Sequence, residues 1–226
     1  MEIDKKGGAF MKYWLAGFCM VFVLILAGCG NSEEQTASVS DIPDEPDKET
    51  VTSEFENSVG ESIETLIDNN FYLLDVVSGD RRGSANVYAT RLYTVDELEE
   101  LFKQAEGPDE ISDKKNGQQI MIYDDVFITL KPSEDDEDVT LIEVADRTFV
   151  RNNYSPNYLN TFFTFALLNS LFGSNWSQNR MDTCQSGGCY GGYTSTYRSN
   201  DDGGSGGSST RRGTSNYRGG GPDAGK

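Results

Sequence analysis

Few side chains in this sequence are placed to do chemistry, and the acids are the first to consider. Asp124 and Asp125 follow Tyr123 between two apolar runs, while Asp75 and Glu143 each lie inside an apolar run. Carboxylates held at different pKa values can serve as general acid and base, provided burial raises one of them. Adjacent acids at a strand-turn-strand junction are also the ordinary composition of a hairpin turn, which is the plainer reading of Asp124-Asp125. Glu134 to Asp138 form an acidic run without the alternating ligands, mid-loop glycine and closing glutamate of an EF-hand, so a solvated loop is expected. Arg81 and Arg82, between Gly79 and Gly83, bring two cations to a turn but lack the G-x4-G-K-[ST] spacing of a phosphate loop. The chain has no histidine, which excludes a His-based triad, a His-ligated metal and an imidazole pH switch. No catalytic residue, metal site or cofactor is therefore assigned.

Cysteine supplies the clearest chemistry. Tyr13 to Ala27 is almost wholly apolar, follows Lys5, Lys6 and Lys12, and closes on Leu26-Ala27-Gly28-Cys29. Basic residues followed by a short apolar run are the order of a secretory signal, and fifteen apolar residues fall short of the ~20 a membrane-spanning helix needs. Small residues directly before a Cys match the bacterial lipobox, in which Cys29 would take diacylglycerol and become the mature N-terminus. Two or more acyl chains such as palmitate give stable anchoring, since each buried methylene contributes about 0.8 kcal/mol. Met11-Lys12 opens an ordinary signal by itself, and either start leaves the same mature product. Removing residues 1–28 takes away three bases and two acids and leaves 16 bases against 35 acids, a net charge of −19. Cys184 and Cys189 then remain, spaced C-x4-C. A local disulfide, two thiols or a metal pair are open to them, although a structural zinc needs four ligands.

Charge narrows the partners. With 37 acids against 19 bases the full chain carries −18. That balance opposes capture of nucleic acid, which needs Lys and Arg to displace counterions, and gives no basic face for an anionic membrane surface. The expected membrane contact is the lipid anchor.

The elements that would position any site lie in the middle of the chain. Residues 29–58 hold nine acids, one base and two prolines beyond the lipidated Cys, and are expected to be a disordered acidic tether. Residues 59–176 carry most of the large apolar side chains and are the expected folded domain. Residues 177–226 are rich in Gly, Ser, Tyr and Arg and are expected to be disordered; Tyr190, Tyr193, Tyr197, Tyr217, Arg198, Arg211, Arg212 and Arg218 could associate with other polymers. Within the domain, Ile63, Leu66 and Ile67 predict a short helix over 60–69. Strands are expected over 71–78 and 86–93 as a hairpin, and over 119–123, 126–131 and 139–145 as a three-stranded meander. Thr94 and Glu97 form a capping box ahead of Leu98, Leu101, Phe102 and Ala105 at helical spacing. The fold class is therefore α+β: a small antiparallel sheet of about five strands with two or three helices. After Ser155-Pro156 the run 157–172 predicts one helix of sixteen residues stopped by Gly173, with Asn157, Asn160, Thr161 and Thr164 on a narrow polar stripe. Its wide apolar surface suits either a core helix laid across the sheet or a face that docks on a membrane partner.

The lipobox, the strand pair, Ile122-Tyr123-Asp124-Asp125, Thr140 to Val144, Phe149-Val150-Arg151-Asn152-Asn153-Tyr154-Ser155-Pro156, Leu171 to Ser174 and the Gly/Ser/Arg tail together resemble one family. It is the bacterial lipoproteins of domain-of-unknown-function family 4247, found notably in Gram-positive bacteria. The resemblance covers roughly residues 20–180 and is most specific at 151–156. Its name assigns no activity; the association of relatives with envelope-stress and small membrane proteins implies a part in a membrane-associated assembly.

Two functions follow as expectations. The first is a non-enzymatic lipoprotein on the extracytoplasmic face of the cell membrane that docks an envelope or membrane protein through Arg151, Asn152, Asn153, Tyr154, Phe163 and Leu167. The alternative is an enzyme acting on an envelope polymer by carboxylate acid/base chemistry, drawing on Asp75, Asp124, Asp125 or Glu143.

Overall fold

In a computed structural model, which describes residues 38–79, 83–185 and 189–194, six antiparallel strands form one sheet with helices on both faces. The elements in chain order are α1 (Lys48–Asn57), α2 (Ile63–Asn70), β1 (Tyr72–Ser78), β2 (Ser84–Thr90), α3 (Val95–Ala105), β3 (Glu110–Ile111), β4 (Gln119–Tyr123), β5 (Val126–Pro132), β6 (Thr140–Asp146), α4 (Arg147–Asn153), α5 (Pro156–Leu159), α6 (Phe165–Phe172) and α7 (Trp176–Cys184). The strand order is β1-β2-β6-β5-β4-β3. The class is α+β, with six strands rather than about five and seven α-helices among the described residues rather than two or three.

Side-chain alternation sorts the core into two layers. Tyr88, Met121, Ile128, Ile142 and Val144 face α1, α2 and α3. Val87, Ala89, Ile120, Phe127, Leu141 and Ala145 face the opposite way, toward α4 to α7. Because helices cover both faces, β4 and β6 are buried along almost their whole length, and their sequences read as continuous apolar runs rather than strict alternations.

The capping box at α3 forms as expected, with Thr94 accepting from Glu97 N and Glu97 accepting from Thr94 N. The hairpin and the meander also pair in the expected order. Asp124 adopts φ 44° in the turn between β4 and β5, so the Tyr123-Asp124-Asp125 stretch is a hairpin turn. Gly83 opens β2 at φ +100°, and a Cβ there would lie 2.5 Å from the Phe149 backbone nitrogen. Gly83→Ala is accordingly expected to lower stability by about 2 kcal/mol, read as a fall in thermal midpoint; an unchanged midpoint would contradict this packing.

Three expectations are corrected. The acidic stretch up to 58 is not wholly a tether: Glu45, Lys48 and helix α1 belong to the domain, and Val51 and Phe55 are completely buried. Two apolar residues at i and i+4 suffice once a sheet offers them a face. At the other end the domain does not stop at 176, since α7 follows and Tyr190 and Tyr193 are buried. The single helix 157–172 is broken into α5 and α6. Thr161 Oγ1 donates to Asn157 O. Thr164 is extended (φ −73°, ψ 150°) and caps α6 by accepting from Leu167 N. The polar stripe of Asn and Thr thus marks the break, because these side chains compete for backbone groups. Folding back lets Leu159, Phe163, Leu168 and Phe172 all point inward.

Candidate functional site

Direct cross-strand partners share a face of the sheet. Asp75 pairs with Val87, Val87 with Glu143, Glu143 with Thr129 and Thr129 with Ile120. Two carboxylates therefore stand in one row, two strands apart, about 10 Å between Cα atoms from the ordinary strand spacing, on the face covered by α4 to α7.

Glu143 is 1% exposed. Its Oε1 accepts from Tyr154 Oη at 2.7 Å and its Oε2 from Tyr193 N at 3.2 Å, and the Tyr190 hydroxyl lies near the same carboxylate. Burial pushes the Glu143 carboxyl above the usual range, against the opposing pull of the tyrosines, the Tyr193 amide and Lys131. Burial and the neighbouring Glu143 charge in turn hold the hydroxyls of Tyr154 and Tyr190 well above ordinary tyrosine, so both remain O–H donors. Tyr193 also donates from Oη to Asp75 Oδ2 at 3.0 Å, and its carbonyl accepts from Lys131 Nζ at 2.6 Å. One residue thereby closes over both acids.

That residue belongs to a strap, 189–194. Tyr190 N donates to Asn153 O and Ser155 N donates to Tyr190 O, both at 2.8 Å, forming a parallel bridge between Tyr154 and Tyr190. Cys184 and Cys189 are joined by a disulfide, which ties the start of the strap to the end of α7.

The stretch 151–156 divides by burial. Asn153 and Tyr154 are interior, at 4% and 1% exposure. The Asn153 amide donates to Phe149 O and packs where a Cβ on Gly79 would collide with it. Arg151 is exposed and Asn152 half-exposed. They line two neighbouring clefts of about 360 Å³ and 580 Å³. The larger also holds Asp125, Asp146 and Arg147. Arg147 pairs through Nε with Asp125 Oδ1 at 2.8 Å and donates to Asp124 O. The smaller is walled by α6 and α7. There Trp176 Nε1 donates to Arg151 O at 2.9 Å, and Arg180 Nε donates to Tyr154 O at 3.0 Å. The buried network is thus continuous with the surface: Glu143 holds Tyr154, and Tyr154 holds Arg180.

The expected docking residues are therefore not brought together on one surface. Asn153, Tyr154 and Phe163 are core, Leu167 is half-buried against it, and Arg151 and Asn152 remain accessible. Asp124 and Asp125 are exposed. The acidic run 134–138 lies in the loop between β5 and β6, where Asp136 approaches Arg91 at 3.8 Å. Among the described residues no group of three or more His, Cys, Asp or Glu is arranged to hold a metal ion. Cys29, Arg81, Arg82 and the tail beyond 194 lie outside the described residues. The roles of Trp176, Arg180 and Tyr193 were missed. Trp176 and Arg180 stood at the edge of a segment with the composition of a tail, and only the aromatic side chains within that composition hinted at burial. No protein-family model, no curated protein and no solved structure matches the chain.

Proposed function

We propose that the protein is a lipoprotein anchored through Cys29 to the extracytoplasmic face of the cell membrane, related to domain-of-unknown-function family 4247. It acts there as a non-enzymatic binding or assembly component whose docking surface is the face around Arg151. The observation that carries this reading is that Arg151 and Asn152 line both clefts while the rest of their stretch is spent holding them in place. Support against a carboxylate enzyme comes from the acids themselves. Asp124 and Asp125 are exposed in a turn, and Asp75 and Glu143 are closed over by Tyr193. Among the described residues no helix is long and apolar enough to cross a membrane; the anchor rests on the lipobox.

The test is crosslinking with mass spectrometry in the native host, combined with metabolic labelling by a palmitate analogue. Wild type is expected to carry label and sediment with membranes, and Cys29→Ala to lose both properties. Arg151→Glu is expected to keep the label and lose the crosslinked envelope protein. A labelled Arg151→Glu that retains every crosslink would remove the Arg151 face from the proposal. Retention of label in Cys29→Ala would remove the anchor.

The raised pKa of Glu143 favours a second reading, a general acid exposed when Tyr193 is displaced. Tyr193→Ala should then cleave an envelope polymer that wild type leaves intact, with the activity abolished by adding Glu143→Gln.

A further inference from the structure

The chain carries −18, yet among the described residues the 360 Å³ cleft is lined by two arginines and by no acidic side chain. Arg151 reaches it from α4 and Arg180 from α7. The Arg151 guanidinium makes no ion pair or hydrogen bond among the described residues, whereas Arg147, four residues earlier, is tied to the turn at Asp124 and Asp125. Arg180 is 7% exposed and is fixed by its Nε bond to Tyr154 O, which is itself anchored to Glu143 through the phenol. A guanidinium held in this way is preorganised, so little rotamer freedom is lost when it binds an oxyanion.

Around the two cations the described lining is neutral, with polar Asn152, Ser174, Asn179 and Thr183 and two aromatics, Phe172 and Trp176. Amide and hydroxyl groups can both donate and accept, which suits hydroxyls on a ligand rather than a second charge. A volume near 360 Å³ is at the small end of ligand sites, which run from roughly 300 to 1,000 Å³, and admits a body the size of glycerol or one sugar ring. Long-range repulsion from the acidic surface does not prevent binding, because at physiological salt such charges are screened beyond about 8 Å.

From this arrangement we propose that the Arg151–Arg180 cleft binds a phosphate ester carried on a small hydroxylated body. The guanidiniums take the phosphate oxygens, the neutral side chains take the hydroxyls, and the indole of Trp176 borders the carbon skeleton. This deepens the reading of the Arg151 face as a docking surface by naming the chemistry it recognises. A lipid headgroup and a soluble phosphate ester both fit that chemistry.

The sequence supplies its own probe. The chain has two tryptophans, Trp14 and Trp176, so the full chain with Trp14→Phe reports from Trp176 alone. Reconstituted in phosphatidylcholine vesicles, it is expected to show a saturable change in Trp176 emission on titration with glycerol 3-phosphate and none with glycerol. Arg151→Ala, which removes an exposed side chain without an internal partner, should leave the melting temperature unchanged. It should weaken the response by about tenfold or more, the worth of a charge-assisted hydrogen bond. Vesicles of phosphatidylcholine and phosphatidylglycerol in equal parts distinguish the sources. If the emission is already shifted there and glycerol 3-phosphate adds nothing, the ligand is a headgroup; if the titration is unchanged, it is a soluble ester. The proposal is overturned if glycerol 3-phosphate gives no saturable change, or if Arg151→Ala responds with the same midpoint as the parent. Should the crosslinked partner depend on Arg151 while glycerol 3-phosphate has no effect, the docking surface stands and the phosphate chemistry falls.

Discussion

A chain that begins at Val59 is expected not to fold, and Phe55→Ala in the full chain is expected to lose about 3–5 kcal/mol of stability, the range for truncating a buried Phe. Phe55 is 1% exposed and stacks on Phe102 with ring centroids 5.5 Å apart and planes at 17°. It also meets Phe71 at 6.0 Å. Removing α1 would bare both of those rings together with the surface that Val51 covers, and the net stability of a domain is only about 5–15 kcal/mol. The polar contacts of the same segment matter less. Lys48 and Glu97 approach to 2.7 Å, but both side chains are largely exposed, and such pairs contribute about 0–1 kcal/mol. A denaturant melt decides the matter. A Phe55→Ala midpoint equal to wild type would return this stretch to the role of a solvated tether.

The same segment shows where composition misleads. Nine acids in 29 residues place 30–58 among chains that cannot fold by themselves, and in isolation that holds. Folding here is decided by the partner: Tyr88, Met121, Ile128 and Ile142 present an apolar face that two side chains one helical turn apart can cover. Elements whose signal is local were legible. The Thr94/Glu97 box, the period of Leu98, Leu101 and Phe102, and the order of the strands all follow from residues within a few positions of each other. The break at Thr164 was not legible, because an Asn/Thr stripe on an apolar helix reads equally as a solvent face or as a set of caps. Tertiary packing of Phe163 and Leu168 selects the second. Much the same holds for the site. Arg151 and Asn152 could be singled out from the sequence, but their partners Trp176 and Arg180 are more than twenty residues away. Only folding shows that Asn153 and Tyr154 point inward while Arg151 and Asn152 stay accessible.

Glu143→Ala is expected to destabilise the protein by roughly 3–5 kcal/mol, combining about 1–3 kcal/mol for each buried donor left without a partner with the cavity created. The donors are Tyr154 Oη and Tyr193 N, one in α4's C-cap and one in the strap. Protease sensitivity after residue 185 should therefore rise alongside the fall in stability. Glu143→Gln behaves differently. Its carbonyl can accept from Tyr193 N while its amide donates to the Tyr154 oxygen, since a phenol serves as donor or acceptor. It also removes the cost of a buried charge. Because burial raises the Glu143 pKa, the folded state holds its proton at pH values where the unfolded chain has released it. Stability from this group is then highest below the unfolded pKa of about 4.3 and declines as pH rises toward the folded pKa. Glu64, also raised by burial, adds to that slope, and Glu97, lowered by its hydrogen bond from Lys48, opposes it. The difference between wild type and Glu143→Gln isolates the buried carboxyl from both. Chemical denaturation from pH 4 to pH 8 should show Glu143→Gln gaining on wild type as pH rises, and a gap that stays constant would mean that Glu143 is not held above its ordinary pKa. If the gap opens as expected, the acid beneath the strap weakens the fold at neutral pH, and the hydrogen bonds from Tyr154 and Tyr193 are what retain it there. The face that presents Arg151 and Arg180 is built on that same network, so loosening Glu143 should loosen the cleft as well.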